Sequence, residues 1–364
     1  METTAHFKSV FLQPSETFIR LQIDSMSRFR HLAVCSERLD NPVSAGIESV
    51  MVPGVDDALV KLTGIMPATS AMLRRRGVVL VHAHFGRDGW AASHLAGRGR
   101  RLPLVVSFYG RDATAVPRME KWRRRYRELF DRADLVLALS DHMKGLLASL
   151  GCPPDRTRVH SFGTDVARVA FQRRRIPAGG PVRLLFVGRF VPKKGVATAI
   201  RALALMPGCT LDLVGDGALK EEYSALASGL GVADRVDFRG WLDPEAARAA
   251  MESAHVLLVP SETAPDGDME GTPTVIFEAM ASGLPVAASI HAGIPEQLGG
   301  GACGRLFPEG DAEGLAKAVD SLVSSPGGYA DVATSARTRA EQCYDSRLQG
   351  MKLEELYRSL IAGR

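Results

Sequence analysis

Asp268-Met-Glu270-Gly271-Thr272-Pro273-Thr274-Val-Ile-Phe-Glu278-Ala-Met-Ala-Ser-Gly283 carries a polar loop into an apolar, helix-forming run. Thr272 suits an N-cap, Pro273 the first helical position and Gly283 the stop. Glu270 then lies in the feeding loop and Glu278 more than a turn inside the helix, about 7.5 Å beyond Pro273 at ~1.5 Å per residue. Between the two carboxylates lie the unpaired N–H groups of a helix start, which attract anions. A ligand with hydroxyls at both ends and phosphate between them fits that layout, and a nucleotide sugar is such a ligand. Taken alone, the same residues also fit a helix with one exposed and one capping Glu, so the surrounding sequence has to decide.

On both sides of this stretch short apolar runs alternate with helical patterns. Strands are expected at 78–83, 104–108, 135–139, 183–187, 210–214, 236–238, 255–259 and 285–289. Alternation of this kind implies βαβ units and parallel sheets. It stops and restarts around 171–181, where the linker is expected. The architecture is α/β: two Rossmann-like, doubly wound domains facing a cleft, 1–175 and 181–345. A last helix, about 346–360, has no partner decided by the sequence, with return to the first domain as one option.

The 364 residues suit two cores. Apolar content of 46% with 24% charged residues describes a globular chain. No signal peptide is legible, and no apolar run reaches the eighteen or so residues that span a bilayer. Five scattered cysteines argue for a reducing cytosol and against a structural zinc site. The net charge of +4 divides unevenly, +11 over 1–180 and −7 over 181–364. The basic half suits an anionic acceptor or the inner face of a membrane. Nucleic acid is not expected, because no binding motif accompanies the charge.

Ligands of doubly wound sheets bind outside the carboxyl ends of the strands, and the other polar candidates fall there. Gly188-Arg189-Phe-Val-Pro-Lys193-Lys194-Gly195 joins a strand to a helix; Arg189 and Lys194 could grip a diphosphate there, or could merely be solvated. His84, Asp112 and Glu262 each follow a strand. His84 suits a contact to a transferred sugar and Asp112 a donor or acceptor contact, against the simpler readings of strand-end and turn. His82 is expected to be packed. Asp88 is a candidate helix cap, and Asp243-Pro-Glu-Ala reads as a cap followed by Pro. Asp266-Gly-Asp268 spells a D-x-D but reads as a solvated loop; no metal and no other cofactor is expected. Gly215-Asp-Gly217 lacks the third glycine of a dinucleotide fingerprint, since position 220 is Lys220. The run 118–130 forms a stripe of Met119, Trp122, Tyr126, Leu129 and Phe130 opposite six Lys/Arg, a surface helix or a membrane-facing one.

Together these motifs resemble the retaining, nucleotide-sugar-dependent family 4 glycosyltransferases of the two-domain GT-B fold. The resemblance runs through Leu185-Phe-Val-Gly-Arg189, Lys194-Gly195, Leu213-Val-Gly-Asp-Gly217, Glu270 through Val286, Gly293-Ile-Pro-Glu-Gln-Leu298 and Gly304-Arg-Leu-Phe307. Pro14-Ser-Glu-Thr-Phe-Ile19, His82-Ala-His84-Phe-Gly86 and Tyr109-Gly-Arg-Asp112 resemble its exopolysaccharide and colanic-acid branch. It implies that Glu278 binds ribose hydroxyls, that Glu270 approaches the hexose, that Arg189 and Lys194 hold the diphosphate, and that His84 reaches the sugar. Gly188, Gly271, Thr272, Thr274, Glu262 and Asp112 complete the expected substrate contacts. The chain departs from the pattern at its start, where 6–15 has no glycine to lie over a phosphate. The expected activity is hexose transfer from a nucleoside diphosphate sugar, uridine favoured, to a sugar, lipid-linked or small-molecule hydroxyl. A nucleotide-sugar epimerase and a non-catalytic binder remain the alternatives.

Overall fold

The structure, a computed structural model, describes residues 1–56, 65–176 and 179–363. It divides into two compact units, 1–163 with 346–364, and 164–345. The division at 163/164 precedes the 171–181 stretch expected as linker, of which 177–178 lie outside the described residues. Residues 164–175 therefore belong to the second unit, where Phe171 packs beside Gly283 and Gln172 N–H bonds to Ser282 O.

The first unit is a seven-stranded parallel sheet in the order Glu48–Met51, Phe29–Cys35, Glu2–Phe7, Val78–His84, Leu104–Ser107, Leu135–Ala138, Thr157–Val159. The last helix, Ser346–Ala362, lays Leu353 and Tyr357 against Met26, Phe29, Leu80, Val105 and Leu137. It is fastened by Glu354, whose carboxylate accepts the N–H groups of Ser27 and Arg28 at 2.6 Å each. The helix Glu120–Arg132 buries Trp122, Tyr126, Leu129 and Phe130, as its period predicts, but Met119 lies outside it and is exposed. Arg125 stacks 3.9 Å over the Trp90 ring, whereas Lys121, Arg123, Arg124 and Arg127 stay exposed.

Glu2–Phe7 escapes an apolar-run reading because it carries buried polar side chains, whereas Val78–His84, expected at 78–83, carries its histidines at the end of an apolar run. Thr4, His6, His82 and His84 are all fully buried. They survive there because hydrogen bonds satisfy them. The Met26 carbonyl can only accept, so His31 Nε2 donates to it, at 3.3 Å. His31 Nδ1 then accepts from His6 Nε2 at 3.1 Å, and His6 Nδ1 from His84 Nε2 at 3.0 Å. His84 Nδ1 accepts from the Tyr109 hydroxyl at 2.6 Å. One fixed carbonyl thus sets the tautomer of three rings. His82 is held apart from this chain, between Tyr357 Oη at 2.5 Å and Ser107 Oγ at 2.7 Å.

The chain works only with neutral rings. Burial pushes His6 and His84 well below the usual imidazole value, His82 to about 3 and His160 to about 4. The unfolded chain takes up protons near pH 6.5 while the folded one does not, so stability is lost as pH falls below that value. Each such ring then costs about 1.4 kcal/mol for every further pH step, until its own folded value is reached. We expect the denaturant midpoint followed by Trp90 and Trp122 fluorescence to fall steeply from pH 7 to pH 5. A flat profile would contradict the neutral network.

The second unit is a six-stranded parallel sheet in the order Val236–Gly240, Cys209–Val214, Val182–Val187, Val256–Val259, Val286–Ser289, Arg305–Phe307. Every second-half strand expected from the sequence is present. Its core joins Leu184, Phe186 and Leu211 of the sheet to Ile200 and Leu203 of the helix Val196–Ala204 and to Leu315 and Val319 of Ala312–Val323. Asp243 caps Pro244–Ser253 by accepting the Ala246 N–H, as its sequence indicates. The five cysteines are free thiols.

Candidate functional site

In the second unit the strand order reverses between Val182–Val187 and Val256–Val259. That is the point where doubly wound sheets open to ligands. Gly188, Arg189, Lys193 and Lys194 follow the first of these strands, and Ser261 and Glu262 the second. Lys194 Nζ lies 2.9 Å from Glu270 Oε1, and Lys193 Nζ lies 3.1 Å from Asp268 Oδ1 and 3.3 Å from the Met269 carbonyl. Adjacent lysines thus tie down the loop that leads into the helix Thr274–Ser282. This corrects the reading of the D-x-D as merely solvated, since Asp268 is a pinned anchor. Glu262 donates its N–H to Lys193 O, and its carboxyl is raised by desolvation, then by neighbouring Glu309.

The helix begins one residue later than expected. Pro273 is its N-cap and Thr274 its first residue, and Thr272 makes no capping bond. The proline takes the cap because its extended backbone, with ψ of 116°, leaves the helix only after it. Gly283 ends the helix in the left-handed conformation the sequence led us to expect, with φ of 76°.

This site gathers a set of buried polar atoms without partners. Among the described residues, Ser261 Oγ, Thr272 Oγ1 and Gln297 Oε1 have none. Gln297 is held at the helix start by its Nε2, which donates to Pro273 O at 3.1 Å. Glu270 Oε1 touches Lys194 as an ion pair but outside hydrogen-bond alignment, so it too can accept a hydroxyl. Buried groups of this kind cost free energy unless a ligand or water completes them. Burial acts to raise the Glu270 carboxyl, but Lys194 and then Lys193 outweigh it and hold the group ionised, below its ordinary range. Glu278 presents an exposed carboxylate, although crowding by protein pushes it up to about 7 against the pull of Arg248. Arg189 is exposed, and Gly188 lets the Lys194 stem pass 3.5 Å from where a Cβ would stand.

Three residues here had no distinguishing mark in the sequence: Lys193, His291 and Glu309. His291 Nε2 accepts the Glu270 N–H at 3.1 Å, and its Nδ1 meets Glu309 Oε1 at 2.6 Å. Glu309 Oε2 accepts the Thr263 N–H at 2.8 Å.

The first-unit candidates need correcting. His84 is fully buried, with both nitrogens used by His6 and Tyr109, so it presents no free atom to a sugar. Asp112 is also buried, and its oxygens accept the N–H groups of Tyr109, Gly110 and Gly86 at 2.9–3.0 Å. It latches two strand-end loops together. Asp88 lies in the first turn of Gly86–Ala92 rather than at its cap, which is Phe85, and accepts from Ser9. Phe85 itself has φ of 71°, a strained conformation for a large side chain, beside the Tyr109 ring. His6, His82 and His84 do bring nitrogen atoms within 4.8 Å of one another. Every one of those nitrogens already has a hydrogen-bond partner, so the donor set fits the relay better than a cation.

Comparison with known proteins shows the family. Residues 170–339 match the family described as Glycosyl transferases group 1, and residues 30–168 match Glycosyltransferase Family 4. WcaL of Salmonella typhimurium, named for colanic acid biosynthesis, is 32% identical over 292 residues, covering 76% of this chain and 70% of the relative. AmsK of Erwinia amylovora, an amylovoran biosynthesis glycosyltransferase, is 32% identical over 286 residues, covering 76% and 69%. The crystal structure of Anabaena HepE in complex with UDP aligns with a TM-score of 0.82 and 21% identity, over 99% of this chain and 100% of that one.

Proposed function

Because the chain belongs to the family 4 glycosyltransferases, with the GT-B fold its motifs led us to expect, we propose that it moves a hexose from a nucleoside diphosphate sugar to an acceptor hydroxyl with retention at the anomeric carbon. The observation that carries this reading is the group of unpartnered buried atoms, Ser261 Oγ and Thr272 Oγ1 in the loop that carries Glu270, and Gln297 Oε1 on the side chain bonded to Pro273 O beside it. In the proposed complex Glu278 takes the ribose hydroxyls. Arg189, Lys194 and the N–H groups of Gly271, Thr272 and Thr274 face the diphosphate. Glu270 accepts from the hexose, and its negative charge lies where positive charge develops at the anomeric carbon. Catalysis is then mainly electrostatic: fixed cations and amides stabilise the departing diphosphate. Two positive side chains already meet that charge, so the reaction as proposed needs no metal.

A uridine donor is favoured by the UDP complex of the structural neighbour, and a growing polysaccharide or glycolipid acceptor by the names of the relatives. The test is release of nucleoside diphosphate from UDP-, GDP-, ADP- and dTDP-hexoses, with the product anomer read by NMR. One donor should turn over, and its product should keep the donor configuration. An inverted product would overturn retention, and conversion of the sugar without an acceptor would indicate an epimerase.

Among the described residues, no helix is long and apolar enough to cross a membrane. We place the reaction in the cytoplasm, with the exposed Lys121, Arg123, Arg124 and Arg127 available to an anionic bilayer. Sedimentation with anionic vesicles at low salt, lost at high salt, is the expected result; absence of binding at low salt removes the membrane from the account.

A further inference from the structure

His291 sits on a bend that its neighbours over-determine. It follows the strand Val286–Ser289, is 1% exposed, and precedes Ala292, whose φ of 46° is unusual for a residue with a side chain. A backbone N–H can only donate, so the bond from Glu270 N to His291 Nε2 makes that nitrogen an acceptor. The ring proton therefore lies on Nδ1 and is donated to Glu309. Because Glu309 also accepts from Thr263, one carboxylate and one ring link the segments around 263, 270, 291 and 309.

We propose that His291, oriented by Glu309, is a positioning residue for the transfer reaction: it fixes the Glu270 peptide against the transferred hexose. The proposal rests on the transferase reading above. Lys193 and Lys194 hold Asp268, the Met269 carbonyl and the Glu270 carboxylate, but neither touches the Glu270 N–H. Without His291 that peptide keeps the Lys193 bond to its carbonyl but loses the hold on its N–H, and the Glu270 side chain can shift against the hexose. A shift of about 1 Å at reacting groups can cost ~10²-fold in rate.

The experiment compares wild type with His291→Ala and His291→Gln. The Gln side-chain oxygen reaches about the place of Nε2 and accepts the same N–H. In His291→Ala, kcat should fall ~10-fold or more, while affinity for the free nucleoside diphosphate, which lacks the hexose, stays unchanged. In His291→Gln, kcat should recover, because the acceptor for the Glu270 N–H is restored. Hydrogen exchange of the 264–273 backbone supplies a readout independent of turnover, faster in His291→Ala and restored in His291→Gln. Wild-type kcat in His291→Ala, parallel loss of kcat and nucleotide affinity, failure of His291→Gln to restore kcat, or unaltered exchange would each overturn the proposal. Absence of turnover in wild type would instead count against the transferase reading, leaving the exchange result to decide the positioning claim.

Discussion

Replacing Lys194 by Ala should lower kcat/KM by ~10²-fold or more, the effect of a few kcal/mol withdrawn from the departing diphosphate. The same change leaves the buried Glu270 carboxylate without the charge that keeps it ionised. Breaking a buried pair from one side costs about 3–5 kcal/mol of stability, so lost activity alone would be ambiguous. Comparing the double variant Lys194→Ala with Glu270→Gln against Glu270→Gln alone separates the two effects. Removing both charges should return much of the thermal stability while turnover stays well below that of Glu270→Gln alone. If turnover recovers along with stability, Lys194 serves the fold rather than the reaction. Wild-type kcat/KM in the single variant would remove it from the mechanism altogether.

Gly215→Ala should be among the most damaging small substitutions in the second unit. Gly215 has φ of 130°, and a Cβ there would stand 1.9 Å from the Gly188 carbonyl oxygen and 2.9 Å from its carbon. Both are backbone atoms of the loop that carries Arg189. Gly188 N–H is itself bonded to Val214 O, and Gly215 N–H to Gly240 O, so neither side can retreat without breaking a strand-end bond. A strained backbone and a displaced loop together place the loss at about 4 kcal/mol or more, or on the order of 10 °C in Tm for a unit of this size. Nucleotide affinity should fall with it, because Gly188 and Arg189 must move. Gly229→Ala, at the end of the helix Lys220–Gly229 with open space around it, is the control and should leave both unchanged. Equal behaviour of the two variants would show that the interlock of the 188 and 215 loops is not what shapes the site.

The second unit was legible in the sequence for a physical reason. Its inner strands Val256–Val259 and Val286–Ser289 are almost wholly apolar, and the loops beyond its strand ends concentrate glycines and charges, so Gly188, Lys194, Glu262 and Glu270 fall where a doubly wound sheet opens. Its details were less visible. Pro273 fits a cap as well as a first turn, and Lys193 and Lys194 differ only in which carboxylate each faces. His291 and Glu309 gain meaning only when separate loops converge. The first unit hid more. Glu2–Phe7 contains Thr4 and His6, which an apolar-run reading rejects but a closed hydrogen-bond chain makes compatible with burial. That chain also explains why His84, at a strand end of the expected kind, turns its ring into the unit instead of toward a ligand.

The central claim is that a nucleoside diphosphate binds at the helix start between Glu270 and Glu278. Thermal unfolding with UDP, GDP, ADP and dTDP, each titrated over several concentrations, tests it most directly. A ligand at one hundred times its dissociation constant stabilises the fold by ~2.7 kcal/mol, a readily measured shift. The account predicts a concentration-dependent rise in Tm with one of the four, UDP favoured, that disappears in Glu278→Ala. No shift with any nucleotide, or a shift that survives Glu278→Ala intact, would contradict it.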